Sequence, residues 1–560
     1  GYNYNDDITN QAFEDYHKKT SVQTRERLIY TPGLGDRHDL SAMLQVFTES
    51  SVYKDYSVKT SRSASIQDQD PTGEKKLVSF SSGSSTFRYL SGFLQLHYKY
   101  MDKYIVTVGG LYEGSSRFSP DSRYGFFPSV SAAWRMSGEN FMQSLDFIND
   151  FKFRCSWGIS GNAPDKNYLY FNRYSASSSY GYDGIAGVRP SGVELTGLQW
   201  ETVEQVNPGV SLIAFNNRLS IELDYYRKHT RNLYLPEFEI PTHSGYSKID
   251  RNSGEMVNRG WEIMTDVVVV ESTNWKFSFN LNLSANENLV LKMPENYKFE
   301  TGDMLANGNY RISIVPGNAI GGFFGYEYLG VYKDFDELVA VDINGNQIYD
   351  INGIPLYMIH GGSAAYEFQP GDAKYKDQNY DGVINELDLV YLGDLNPDLM
   401  GGFGPRIGYK GVVVNGYFYF KLGQRIINQT KMETENMYGY DNQSKATNWR
   451  WRNPGDDTDV PRALYNTGFN WMGSGRFIED GSFLRLRTVS LTYNFPGSLC
   501  DKINLNSMKV YATMYNLFTW TGYSGQDPDV AQPTTPSVLP KDYSRTPPSK
   551  KMIFGVTISF

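Results

Sequence analysis

The sequence predicts an all-β fold, a transmembrane antiparallel β-barrel of about 15 strands with long extracellular loops. Three observations favour this fold: apolar and polar residues alternate over long segments, the connections between those segments are alternately short and long, and 15% of residues are aromatic. The 560-residue chain also exceeds the size at which one globular core usually keeps growing, so a very large sheet is a natural alternative to several domains.

The alternation is clearest in the segments 151–160, 275–283 and 552–560. From Trp275 to Leu283 every second residue is aromatic or leucine, and lysine, serine and asparagine lie between them. Such a pattern indicates a sheet with one apolar and one polar face.

Strand length separates a barrel from a soluble sandwich. Strands of soluble proteins average about 5–6 residues, whereas these segments reach roughly 10–14, and about 9–11 tilted residues cross a bilayer. A Lys or Arg at the lipid midplane costs about 2–4 kcal/mol, so Lys152, Arg154 and Lys276 are expected to face a watery lumen. The aromatic face then meets lipid.

The connections alternate in length along the whole chain, as in bacterial barrels with short periplasmic turns and long extracellular loops. The longest loops are expected at 161–198, 287–402, 423–481 and 521–551. The predicted strands are 24–31, 39–55, 86–100, 103–114, 125–137, 150–160, 199–214, 217–232, 258–271, 273–286, 403–410, 412–422, 482–495, 507–520 and 552–560.

An odd strand count points to a larger assembly, because single-chain bacterial barrels have even counts. Plugged transporters have 22 strands, so residues 24–560 are interpreted as the C-terminal part of such a barrel and residues 1–23 as the remnant of an extracellular loop. The plug domain and the first strands are then expected on an N-terminal remainder that completes the barrel.

Composition and motifs exclude several classes. A net charge of −9 argues against a nucleic-acid partner, and Cys155 and Cys500 form no CxxC pair. No run of 18 apolar residues is present, and no HExxH, GxSxG, P-loop or dinucleotide fingerprint occurs. We therefore expect neither an enzyme nor an organic cofactor.

A set of motifs in fixed order resembles the C-terminal half of the SusC/RagA group of TonB-dependent outer-membrane transporters from Bacteroidota. Each motif alone is weak, but together they cover about residues 24–560. They are YGFFPS at 124–129, LQWE at 198–201, FNNRL at 215–219, DYY at 224–226, Gly371-Asp372, NPD at 396–398, DVPR at 459–462, EDGSFLRL at 479–486, NLF at 516–518 and Phe560.

This resemblance implies import of an oligosaccharide or oligopeptide across the outer membrane of a Gram-negative, Bacteroidota-like cell. It also implies a SusD-like surface lipoprotein as a lid, TonB acting through the plug segment, and contacts with lipid and lipopolysaccharide. One alternative is a structural barrel that scaffolds a surface protein complex, with transport reduced or lost. Another is a soluble multi-domain β-protein.

The segment 377–388 has the spacing of a calcium-binding loop. Oxygen donors Asp377, Asn379 and Asp381 occupy positions 1, 3 and 5, followed by the Val383 carbonyl and the Asp388 carboxylate at position 12. Because Asp388 replaces the usual glutamate, we expect a weakened calcium site that staples the loop. The alternative is a cation-free turn rich in Asp and Asn.

Aromatic residues cluster in the long loops and are candidates for stacking on sugars or peptide side chains. The alternative is that they pack the loops against one another or against the lid protein. The candidate ligand-binding residues are Tyr180, Tyr182, Tyr440, Trp449, Trp451 and Trp471.

Overall fold

The computed structural model describes residues 11–62, 67, 76–183, 185–241, 243, 245–294, 300–301, 304–362, 366–529 and 539–560. Within these ranges no helix has both the length and the apolar character needed to cross a membrane.

One large sheet of 15 strands dominates the fold, and its strands are neighbours in chain order. All pairings with a described register within it are antiparallel. The strands are β1 (Ala12–Tyr30), β2 (His38–Ser61), β3 (Lys76–Tyr100), β4 (Tyr104–Ser115), β5 (Tyr124–Arg135), β6 (Ile148–Asn162), β7 (Glu201–Ala214), β8 (Leu219–Arg231), β9 (Glu255–Glu271), β10 (Trp275–Lys292), β11 (Leu399–Tyr409), β12 (Val412–Leu422), β13 (Phe483–Asn494), β14 (Ser507–Thr521) and β15 (Lys551–Ser559).

Each predicted strand overlaps one of these, but the first three are longer than the sequence indicated. β1 begins at Ala12, within the segment 1–23 that was expected to be a loop remnant, and β3 begins at Lys76. The extra residues pair in register, with Ala12 opposite Thr60. Backbone pairing needs no apolar alternation outside a bilayer, so the polar residues 12–23 carried no strand signal. Residues 1–10 lie outside the described part of the chain.

The two faces of the sheet differ as predicted, and β3 shows it most simply. Leu94, Leu96 and Tyr98 are exposed, whereas Gln95 and His97 between them are partly covered by neighbouring side chains. His97 shares a hydrogen bond of 2.9 Å between its Nδ1 and the Thr107 Oγ1 on β4. An exposed leucine face beside a hydrogen-bonded polar face is typical of a barrel wall with lipid on one side.

The predicted alternation of short and long connections is confirmed. Met101, Asp102 and Lys103 join β3 to β4, and Met101 and Asp102 have the positive φ, 52° and 54°, that is required at the two central positions of a type I′ turn. Lys410 and Gly411 do the same between β11 and β12, with φ of 44° and 93°. Tight turns of this kind fix the register of the flanking strands.

The chain divides into two compact units. One comprises Gly1–Asn140, Phe153–Asn207 and Lys228–Glu255, and the other Phe141–Lys152, Pro208–Arg227 and Met256–Phe560. In the first unit, two loops contain small hairpins. The loop that follows β6 contains the hairpin of Arg173–Tyr182 with Ile185–Gly192, and the loop that follows β8 contains the hairpin of Tyr234–Glu239 with Lys248–Asn252.

The long loops of the second unit have hydrophobic cores of their own. One core surrounds the buried rings of Tyr326, Tyr332, Phe368 and Tyr375. Their short strands are Glu300–Thr301, Arg311–Ser313, Phe323–Tyr326, Tyr328–Val331, Ile359–His360, Tyr366–Glu367, Ala373–Tyr375, Val383–Ile384, Leu389–Gly393, Arg425–Asn428, Ile478–Asp480 and Lys541–Asp542, and they contain the helix α1 (Gln429–Glu435). A second helix, α2 (Gly497–Cys500), lies in the shorter connection between β13 and β14. These loops are therefore folded structures and not linkers.

The strands at the two ends of the sheet each have one partner in the described part of the chain. β1 pairs with β2, and β15 pairs with β14. Unpaired backbone amides and carbonyls are not tolerated in the hydrocarbon region of a bilayer.

The face assignment predicts opposite outcomes for lysine at adjacent positions of β3. Leu94→Lys would place a charge on the lipid-facing side and should reduce the free energy of folding into a bilayer by about 2–4 kcal/mol. Gln95→Lys is the matched control on the polar side and should cost far less. The measurement is urea-dependent unfolding of the whole barrel in vesicles, followed by heat-modifiable electrophoretic mobility, and equal losses would contradict the assignment.

Candidate functional site

A polar cavity of about 410 Å³ lies beside the interior parts of β1, β2 and β3 in the first unit. Its strand residues share odd-numbered positions, the same face as Gln95 and His97. The cavity is therefore on the polar side of the sheet. It is lined by Lys19, Glu49, Ser51, Tyr53, Ser85, Phe87, Arg117 and Asn167.

Two chain segments meet at this cavity through Arg117. Its guanidinium lies 4.6 Å from the centre of the Phe87 ring, and its Nε donates to the Asn167 Oδ1 at 3.2 Å. Asn167 in turn donates from Nδ2 to the Ser85 Oγ at 2.7 Å. The loop between β6 and β7 is thus held against β3 by the contacts of Asn167 with Ser85 and with Arg117, whose guanidinium lies over Phe87.

The opposite wall carries a carboxylate and a phenol. Glu49 accepts from the Ser51 hydroxyl at 2.7 Å, and the Tyr53 hydroxyl lies 3.0 Å from Nδ1 of His17. A cavity with both charge signs, an amide and aromatic rings can bind hydroxyl groups and charged chain ends alike. Sequence analysis missed this cavity, although the polar positions of alternating strands were a usable signal.

The motif residues Asp372 and Arg462 form a buried ion pair in the second unit. Asp372 is fully buried, and its carboxylate accepts from the Arg462 Nε at 2.7 Å and from the Tyr366 hydroxyl at 2.8 Å. Asn470 also donates to it. These contacts join the loop that follows β10 to the loop that follows β12, so these motifs have a structural role.

A second buried pair explains part of the motif at 479–486. The Arg485 Nη2 lies 2.6 Å from the Asp527 Oδ1, and both side chains are almost fully buried. Arg485 also lies near Asp529, which pairs with Lys421 at 2.9 Å. The network connects β12 and β13 to the loop that follows β14.

The predicted ligand-binding aromatic residues fall into two groups. Trp451 and Trp471 pack inside the loops, because their rings lie against Gly371 and Gly308. Tyr182, Tyr440 and Trp449 are exposed at 89%, 89% and 78%, and Tyr440 contacts the ring of Tyr465 at 4.8 Å. The side chain of Tyr180 lies outside the described part of the structure. Ligand contact by these residues stays a prediction.

The predicted calcium loop is closed by hydrogen bonds from its own backbone. Asp377 accepts from the amides of Tyr380 and Gly382 at 2.7 Å each, and Gly382 has the positive φ, 80°, that a tight turn requires. Asp381 accepts from the Val383 amide at 2.8 Å, and Asn379 accepts from the Asp381 amide.

Asp388 lies beneath this turn, fully buried, and accepts from the amides of Gln378 and Asn385 at 2.8 Å each. Burial raises the pKa of Asp388, and the carboxylates of Asp377 and Asp381 add to the rise. The donors are hard oxygens that suit calcium. However, in the described residues no three His, Cys, Asp or Glu side chains are grouped so as to hold a metal ion. Calcium at Asp377, Asn379, Asp381, Val383 and Asp388 therefore stays a prediction.

A model of the family described as "TonB dependent receptor-like, beta-barrel" matches residues 1–380. The TonB-dependent receptors P26 and P3 of Formosa agariphila are each 30% identical, over 521 and 540 residues that cover 89% and 93% of this chain and 49% and 50% of those proteins. The TonB-dependent receptor SusC of Bacteroides thetaiotaomicron is 26% identical over 466 residues, which cover 79% of this chain and 41% of SusC. The chain spans about half the length of the curated relatives it matches.

Among solved structures, the RagAB peptide importer in its open-open state superposes with a TM-score of 0.78 at 23% identity. The superposition covers 98% of this chain and 56% of that one. A second RagAB structure, of the peptide transporter, gives a TM-score of 0.75. The barrel fold predicted from strand length and alternation is confirmed.

The loop ion pair predicts that Asp372→Ala loosens both long loops. Leaving Arg462 as an unpaired, partly buried charge should destabilise this region by about 3–5 kcal/mol. Limited proteolysis of the whole barrel protein, read as cleavage within 287–402 and 423–481, measures the change. Asp457→Ala is the control, because the Asp457 carboxylate is exposed although it pairs with Lys333. Equal cleavage of the two variants would refute the structural role of Asp372.

The turn at 377–388 predicts that Asp388→Ala increases cleavage of this loop in the same assay. Two buried amides would lose their acceptor, at about 1–3 kcal/mol for each. Exposed Asp381→Ala should have a smaller effect. If calcium also staples the loop, a chelator will increase cleavage of the unmodified protein, whereas a loop held by its own amides will be unaffected by chelation.

Proposed function

Because this chain belongs to the family of TonB-dependent receptor β-barrels, we propose that it is the C-terminal part of an outer-membrane importer for oligosaccharides or oligopeptides. The observation that carries the proposal is the two-faced sheet of 15 strands, whose apolar side suits lipid and whose polar side lines a cavity with both charge signs.

The outer edges of β1 and β15, which have no partner strand in the described part of the chain, support a role for the rest of the protein in closing the barrel. In lipid the free edges of β1 and β15 need partners, which the first strands of a 22-stranded barrel would supply. That remainder would also carry the plug on which TonB acts. The chain is then a transport component with no enzymatic activity of its own.

The folded loops support a partner on the cell surface. Tyr182, Tyr440 and Trp449 are exposed rings, which are enriched in protein interfaces. We propose a SusD-like lipoprotein as the lid that packs on these loops. RagAB is a peptide importer, whereas the mixed lining of the cavity here suits either sugar or peptide.

Uptake by cells that express the whole transporter tests the proposal, with Arg117 as the first target. Arg117→Gln removes the cation over Phe87 and should raise the half-saturating substrate concentration about 5- to 50-fold while the amount of folded barrel stays unchanged. Arg37→Gln, in the turn before β2, is the matched control with normal uptake. Labelled oligosaccharide and oligopeptide pools would identify the substrate class.

The same experiment separates import from scaffolding. An importer loses uptake when TonB is deleted and retains its surface complex. A scaffold would show no uptake of either pool in wild-type cells, and deleting the barrel would disperse its surface partners; that result would overturn the proposal.

A further inference from the structure

A second cavity, of about 420 Å³, lies on the apolar side of the sheet in the first unit. It differs from the polar cavity in its β3 lining, which comprises the even-numbered residues Thr86, Arg88 and Leu90 and a single odd-numbered residue, Tyr89. Leu90 shares this face with the exposed Leu94, Leu96 and Tyr98. The cavity therefore opens toward lipid and away from the solute path.

Aromatic pairs mark the two edges of the apolar band on this face. Tyr104 and Trp134 stack at one end of β4 and β5, with ring centroids 6.5 Å apart. Tyr112 and Tyr124 stack near the other end, at 5.4 Å with an interplanar angle of 3°. Rings of this type lie at the headgroup level of barrels.

The position of Arg88 along β3 gives its level in the membrane relative to Tyr98 on the same face of the strand. About ten residues separate it from Tyr98, and at about 3.3 Å per residue and a tilt of about 40° this spans roughly 25 Å, the height of the lipid-facing band. Arg88 thus lies at the outer headgroup level, beside Tyr124 in the same cavity.

The lining of the cavity carries two cations and no carboxylate. Arg88 and Arg123 both line it, and the Arg123 Nε is buried without a hydrogen-bond partner. Hydrogen bonds from two consecutive residues hold the backbones of both arginines. The Ser116 amide donates to the Arg88 carbonyl at 2.9 Å, and the Ser115 amide donates to the Arg123 carbonyl at 3.2 Å.

One acid on the neighbouring strand β4, Glu113, is already engaged by another residue. Tyr89, which also lines the cavity, donates its hydroxyl to the Glu113 carboxylate. Glu113 is buried and belongs to the odd-numbered, polar face. The two arginines therefore have no anion within the cavity lining.

A folded loop covers the other side of the cavity with aromatic rings. The Thr86 amide donates to the Tyr168 hydroxyl at 2.6 Å, which holds this loop on the edge of β3. Tyr170 and Phe171 stack at 4.2 Å, and both line the cavity. Rings beside two arginines suit a ligand with a phosphate and an adjoining sugar or acyl chain.

We propose that this cavity binds the phosphate of an outer-leaflet lipid, with Arg88 and Arg123 on the phosphate and Tyr168, Tyr170 and Phe171 on the adjoining headgroup. Guanidinium groups bind phosphate oxygens in a bidentate manner. Because the cavity opens on the lipid side of the sheet at the level of the headgroups, a solute in the lumen does not reach it. The inference rests on the outer-membrane location and not on the transported substrate.

The test uses the whole transporter in phosphatidylcholine nanodiscs that contain monophosphorylated lipid A. Native mass spectrometry counts the lipid A bound per barrel. The double variant Arg88→Gln/Arg123→Gln should retain about five- to tenfold less lipid A than the unmodified barrel. Dephosphorylated lipid A should bind the unmodified barrel as weakly as phosphorylated lipid A binds the double variant. Arg117→Gln is the matched control on the polar face and should bind lipid A normally.

Uptake measured on the same variants separates this inference from the proposed function. The double variant should import normally, whereas Arg117→Gln should import poorly. Unchanged lipid A binding by the double variant would overturn the inference whatever the uptake result. So would displacement of lipid A by millimolar inorganic phosphate, because it would indicate a site for a soluble anion.

Discussion

The constraint on which this structure depends is that every backbone amide and carbonyl must be satisfied where water is absent. Antiparallel pairing in chain order meets it for 15 strands, with tight turns such as Lys410–Gly411 on one side of the sheet. The same pairing makes the side chains alternate, so one choice of backbone geometry produces both the lipid-facing leucines and the polar wall of a solute path.

The long loops are under a different constraint. They lie in water, so they can bury apolar side chains in hydrophobic cores as soluble proteins do. Aromatic clusters around Tyr326 and Trp200 bury apolar surface, and the ion pairs at Asp372 and Arg485 fix one loop on another. Five of the ten motifs that carry the family resemblance contribute residues to these contacts, namely YGFFPS, LQWE, Gly371-Asp372, DVPR and EDGSFLRL. These motifs thus report how the loops are built, whereas the polar cavity is lined by less distinctive residues such as Glu49 and Arg117.

Arginines illustrate how the side of the wall determines function. Arg88 lies in the middle of β3 and Arg117 in the connection between β4 and β5, but Arg88 lines the lipid-side cavity and Arg117 the polar one. Neither has a distinctive motif. What distinguishes them is the face on which each lies and the rings that surround it, Tyr124 and Tyr168 for one and Phe87 for the other.

The sequence by itself determined the strand number, the two faces and the alternation of turns and loops, because a period of two over long segments follows directly from strand geometry. It did not reveal that β1 begins at Ala12, since paired backbone in water needs no apolar pattern. Only the tertiary structure showed that Trp451 and Trp471 pack within loops and that Arg88 and Arg123 line one cavity, because these arrangements bring together residues far apart in the chain. Side-chain neighbours of that kind leave no periodic trace in a sequence.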